Sequence, residues 1–126
     1  MSSFRAELTL DNQTFGLSRC YFEMHRFADD HGRPQSKPYW STWINMESTD
    51  KTTIANWMMD PKKTLDVTIT FYHTDQNSKF REIKLSKASC YLYHERFESD
   101  ENYGLLRFQV MGDEVTINNS VNYKNA

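Results

Sequence analysis

Alternation of apolar and polar residues with a period of two runs through most of this chain. Phe4, Ala6, Leu8 and Leu10 alternate with Arg5, Glu7 and Thr9, the mark of a strand with one buried face. Asp11-Asn12-Gln13 reads as a turn. The next strand is expected over about 14–27, and its apolar residues do not keep to one side. Phe15, Leu17 and Tyr21 fall on one face, and Cys20, Phe22 and Met24 on the other. Either a bulge near Ser18 shifts the register, or both faces are buried and part of the strand meets another subunit.

Trp40, Thr42, Ile44 and Met46 make a further strand. Leu65, Val67, Ile69 and Phe71 make the cleanest one, alternating with Asp66, Thr68, Thr70 and Tyr72. A hairpin loop over 74–78 leads into 80–85 and 88–97, two strands or one long strand broken near Ser86. Leu106, Phe108 and Val110 form the next, and Gly112-Asp113 turns the chain into a short strand at Val115 and Ile117. The polar tail of about 119–126 is expected to fray.

One segment breaks the alternation. Ser48, Thr49 and Asp50 can each accept a bond from a free amide of a first helical turn. Ile54, Trp57 and Met58 follow at i, i+3, i+4, and Pro61 ends the run, with Lys62 and Lys63 just beyond it. The pattern predicts one short helix over about 50–60. The chain therefore reads as mainly β, an antiparallel two-sheet barrel or sandwich with one flanking α-helix.

Composition narrows the function more than it identifies it. The 126 residues are expected to form a single domain, 1–126, able to bury a core unaided. Lys and Arg number 15 against 17 Asp and Glu and are interleaved with them, which excludes a general nucleic-acid binder. No apolar run reaches the length of a membrane span, so membrane insertion is not expected. The opening residues lack the layout of a signal peptide, which argues against the general secretory route. Cys20 and Cys90 are read as reduced, buried small hydrophobes rather than a pair.

Candidate chemistry is sparse. His25, His31, His73 and His94 stand at no zinc-ligand spacing. The four glycines are scattered and form no phosphate loop, and no serine sits in a Gly-x-Ser-x-Gly elbow. No catalytic, cofactor-binding or metal-binding residue is assigned, and no enzyme activity is expected. The stretch 28–38 is different: it holds Gly32, Pro34 and Pro38 among polar residues, and a loop of that length in so small a domain usually binds something. It reads either as a mobile hairpin tip or as an arm reaching a neighbour. Trp43 and Met59 fall off the inferred core faces, where aromatics and Met favour subunit contacts. A monomeric small-molecule binder, with the barrel mouth as pocket, is the competing reading, and the bulky strand residues needed to fill a small barrel argue against it.

As a whole the chain resembles the Hcp family, the tube protein TssD of type VI secretion systems in its Bacteroidetes form. The resemblance is carried by Met1-Ser2-Ser3-Phe4-Arg5-Ala6-Glu7-Leu8, by Gly32-Arg33-Pro34, and by Glu47-Ser48-Thr49-Asp50 leading to Trp57-Met58 and Pro61. The strand 67–72 and Cys90 with Tyr93 and Phe97 complete it. It implies a self-assembling structural protein without cofactors, forming stacked, six-membered rings inside a contractile sheath. It also implies partners: the VgrG and PAAR spike, sheath proteins and effectors carried in the lumen. Assembly in the cytoplasm followed by expulsion through the system is implied as well. The family's extended loop maps onto 28–38, which makes Asp29, Asp30, His31, Gly32, Arg33, Pro34, Gln35, Ser36, Lys37, Pro38 and Tyr39 the subunit-interface candidates, with Trp43 and Met59 beside them. Relatives often carry a small, Gly-rich stretch after Gly-Arg-Pro. Lys37-Pro38-Tyr39-Trp40 stands here instead, which opens the alternative of a specialised variant acting as an effector carrier.

Overall fold

Strands β1 (Phe4–Leu10), β2 (Gln13–Leu17), β3 (Arg19–His25) and β4 (Tyr39–Glu47) precede the helix α1 (Thr53–Met59). After it come β5 (Leu65–His73), β6 (Lys79–Arg96), β7 (Leu105–Met111), β8 (Glu114–Ile117) and β9 (Val121–Lys124). The computed structural model describes residues 4–26, 29–33, 39–75, 78–112, 114–118 and 121–124. All strand pairs are antiparallel, and the hydrogen-bonded order is β2-β1-β5-β6-β7-β4-β3, with β8 on β6 and β9 on β8.

The two expected sheets share β6. Its first part pairs with β5 and β8, and its second part pairs with β7. Register aligns the apolar positions into rows, which is how the period-two pattern becomes a core. On one sheet Phe15, Leu8, Ile69 and Ile83 stand side by side, followed by Leu10, Val67, Leu85 and Val115. On the other, Cys20, Ile44, Phe108 and Tyr93 form one row, and Phe22, Thr42, Val110 and Cys90 the next. Most of these side chains are fully buried, each large apolar one contributing roughly 2 kcal/mol.

Local chemistry explains the bends. Asp11 and Asn12 take φ of 49° and 61°, as the two-residue β1–β2 hairpin requires, and Asp and Asn tolerate this better than other side chains. The single strand expected over 14–27 is two, β2 on β1 and β3 on β4, and the inward side changes at the break at Ser18 rather than at a bulge. Phe15 points inward before the break, Cys20 and Phe22 after it, and Tyr21 is exposed. Ser18 also joins the two ends of the sheet. Its backbone N–H and its Oγ donate to the Asn45 carbonyl of β4 at 2.9 and 3.1 Å; no ladder joins β2 to β3, so the sheet expected to close as a barrel stays open there and only the chain links its two ends.

β6 is one strand, not two, and its pairing shifts at three points, the first opposite Phe71/Tyr72. Lys87 adopts φ 52° and its N–H donates to Asp66 Oδ1 at 3.1 Å, while the pairing shifts between Leu65/Val67 and again between Cys90/Leu92. Each of these latter two shifts flips the inward face and swings the strand from one sheet into the other.

Two expectations need correction. The helix begins at Thr53, not near residue 50, and no side chain caps it. Ser48, Thr49 and Asp50 are not its caps: Ser48 Oγ donates to Glu95 Oε2 at 2.7 Å, and Thr49 Oγ1 accepts from the Lys51 N–H at 3.1 Å. Packing holds the helix instead. Ile54 and Trp57 are buried, the indole Nε1–H donates to the Ala88 carbonyl at 3.2 Å, and the ring meets Phe108 edge-on at 6.5 Å. The second correction concerns the tail. Within the segment expected to fray, Val121–Lys124 forms β9, paired with β8 from Glu114↔Lys124 to Ile117↔Val121.

Candidate functional site

The excursion between β3 and β4 starts from His25 and Tyr39, the last pair of their ladder, whose rings stack at 5.4 Å. Residues 29–33 form a tight turn built on Asp29. Its Oδ1 accepts from the N–H groups of His31 (2.9 Å) and Arg33 (2.8 Å), and its Oδ2 from Arg33 Nε at 2.8 Å. The backbone closes the same turn through Asp29 N–H to the Arg33 carbonyl at 2.7 Å and Gly32 N–H to the Asp29 carbonyl at 3.0 Å. Gly32 takes φ +79°, which L side chains rarely adopt. The Arg33 and His31 N–H bonds hold the Asp29 carboxyl below its usual range. Asp30, His31, Gly32 and Arg33 are exposed, so the turn presents a preformed polar surface.

The remaining candidates do not all gather there. Pro34, Gln35, Ser36, Lys37 and Pro38 lie outside the described residues. Tyr39 stands at the base of the excursion. Met59, 82% exposed, ends α1 on another side of the fold. Trp43 lies on the outer face of β4.

That outer face was not legible from the chain. Register places Tyr21, Trp43, Gln109 and Leu92 in one row across β3, β4, β7 and β6, and Arg19, Asn45, Arg107 and His94 in the next. The Arg107 guanidinium lies 4.6 Å over the Trp43 ring, and Arg19 lies 5.9 Å over Tyr21. A depression of about 320 Å³ is lined by Trp43, Leu92, Tyr93, His94 and Arg107. The displacement of Tyr21 from the Cys20–Phe22 face and the place of Trp43 off the core face of β4 were the available signals.

Groups suited to catalysis stay apart among the described residues. Burial pushes the Cys20 thiol up to about 12 and Cys90 to about 11, which keeps both protonated and poorly nucleophilic. His25 pairs with Glu23 at 3.2 Å in the open, and His73 meets Phe80 edge-on. Glu98, Asp100 and Glu101 come together on an exposed turn. A cleft of about 420 Å³ runs along the seam near Ser18, lined by Ala6, Leu17, Cys20, Phe71, Phe80 and two arginines.

Hcp1 from Flavobacterium johnsoniae superposes with a TM-score of 0.85 at 22% identity, covering 96% of this chain and 99% of that one. Hcp1 from Salmonella typhimurium gives 0.75 at 6% identity over 97% and 92%. A chain of the sheath-tube complex of an extracellular contractile injection system, PVC, in its extended state gives 0.61 at 13% identity over 90% and 87%. No curated protein matches the sequence. The model of the family described as hemolysin coregulated protein Hcp (TssD) matches residues 2–126; the chain belongs to that family and is a tube subunit of a type VI secretion system.

Proposed function

We propose that copies of this chain join side by side through the 29–39 excursion and the free strand edges, and that rings so formed stack into the expelled tube. The observation that carries this is the turn on Asp29. Its hydrogen bonds order the exposed turn 29–33 in advance, so little entropy is lost there when a neighbour binds it. The open edges of β2 and β3 at the two ends of the strand order add backbone groups that association can satisfy. A contact of this kind joins two different patches, and a rotation that closes yields a ring.

The likeness to a chain of a sheath-tube complex supports a sheath as a further partner. Family membership supports a VgrG spike with its PAAR tip and lumenal effectors. Assembly takes place in the cytoplasm and export follows through the system itself; no described helix is long and apolar enough to cross a membrane. The role is mechanical rather than catalytic.

Negative-stain micrographs of the purified chain test the reading. Rings and short stacks are expected, and isolated globules at high concentration would sink it. Deleting 35–38 should weaken ring formation while leaving the far-ultraviolet spectrum unchanged. Undiminished rings in that variant would remove the loop from the contact.

A further inference from the structure

The two outer faces of this protein differ in how their charges are satisfied. On the β2-β1-β5-β6 side, charge is balanced internally: Arg5 pairs with Glu7 at 2.8 Å, and Lys79 and Lys84 reach Glu82 at 3.3 and 3.7 Å. Threonines fill much of the rest, with Thr9 and Thr14 bonded at 3.3 Å. Such a face is at rest in water.

The β3-β4-β7-β6 side is not. Arg19 and Arg107 are exposed, each lies over an aromatic ring, and neither has a carboxylate partner among the described residues. Tyr21 at 58% and Leu92 at 37% exposure sit beside them. The depression around Trp43 and Arg107 continues into a second one of about 180 Å³ that adds Arg96. Arg96 reaches Glu98 at 3.3 Å, so Arg19 and Arg107 carry the unanswered charge. Stacking on a ring holds a guanidinium's plane while leaving its N–H fork open, the arrangement suited to bidentate capture of carboxylates.

We infer that this face docks an acidic stretch of another protein, its carboxylates on Arg19 and Arg107 and its aliphatic side chains on Trp43, Tyr21 and Leu92. The inference rests on the reading that the tube engages partner proteins, and it names the chemistry of the one taken here. A chain with net charge −2 repels polyanions in general, so the local cations select for partners that bring apolar groups as well as charge.

The test uses the full chain and a fluorescein-labelled synthetic peptide repeating Glu-Glu-Leu-Gly, followed by anisotropy, with a Lys-for-Glu peptide and single-stranded DNA as controls. The acidic peptide should bind, weaken with added salt, and lose about tenfold in affinity in Arg107→Gln, in Arg19→Gln and in Trp43→Ala. Arg107→Lys, which keeps the charge and loses the planar fork, should fall between Arg107→Gln and the parent. Unfolding midpoints identify any variant that fails to fold, and Arg107→Lys then decides. Equal binding by the Lys peptide, unchanged affinity in the variants, or tighter binding of DNA would overturn the inference. So would loss of rings in the same variants, since the face would then belong to a second copy. Rings are scored separately in micrographs, so a parent chain that binds the peptide yet forms none refutes the assembly reading alone.

Discussion

Cys20 and Cys90 show what burial does to a single group. Both belong to core rows, and desolvation raises the thiols from 9.0 to about 12 and about 11. Tyr93 is raised to about 12 by burial and by donating to Glu95 Oε1 at 2.7 Å. A raised acid binds its proton more tightly when folded, so its contribution is complete below the unfolded value and is withdrawn as pH climbs toward the folded one. Stability should therefore hold up to about pH 9 and decline above it, readable as a falling urea midpoint. Iodoacetamide at neutral pH should label the native protein slowly and the urea-unfolded protein fast. Rapid labelling of the native form would show that these thiols are not shielded as described.

At the scale of elements, the β6 bulge carries the architecture. Lys87 holds a left-handed backbone that Asp66 stabilises by accepting its N–H. Lys87→Gly should raise stability by about 1 kcal/mol, since glycine adopts that conformation without strain. Asp66→Ala should lower it by about 1 kcal/mol by orphaning the amide. Chemical denaturation measures both, and a destabilising Lys87→Gly would mean that the lysine stem matters more than its backbone.

The same elements show what a sequence displays and what it hides. Strands with a clean period, such as β5 and β7, were legible because one buried face leaves a direct imprint. The start of α1 was not, because Ser48 and Thr49 look like caps while bonding Glu95 and Lys51. β9 was hidden because Val121 and Tyr123 are only two alternating apolar positions, set in a polar tail too short to announce a strand. A turn was legible from Gly32, but the part of Asp29 in building it was not, since it rests on bonds to His31 and Arg33 that no pattern displays. The Trp43–Arg107 face was not, because it depends on the register of four strands, one of them shifted by a bulge between Cys90 and Leu92.

For the whole molecule, sharing β6 between two sheets predicts a single cooperative unit. Its amides should be among the slowest to exchange with deuterium, with protection on both sides of Lys87 lost together. Early exchange of one half alone would reveal two independently opening sheets. Long-range pairing of this kind also predicts slow folding, since β1 must find β5 and β4 must find β7 across long intervening stretches of chain.

Ser18 gives that order a mechanical meaning. The outermost strands at the two limits of the sheet are neighbours along the polypeptide, so neither rim can peel away without dragging the other. A thrust delivered to one side is passed around the circumference through covalent bonds as well as through weaker contacts. A part built like this resists splaying under compression, which is the load a projectile bears when it is driven forward.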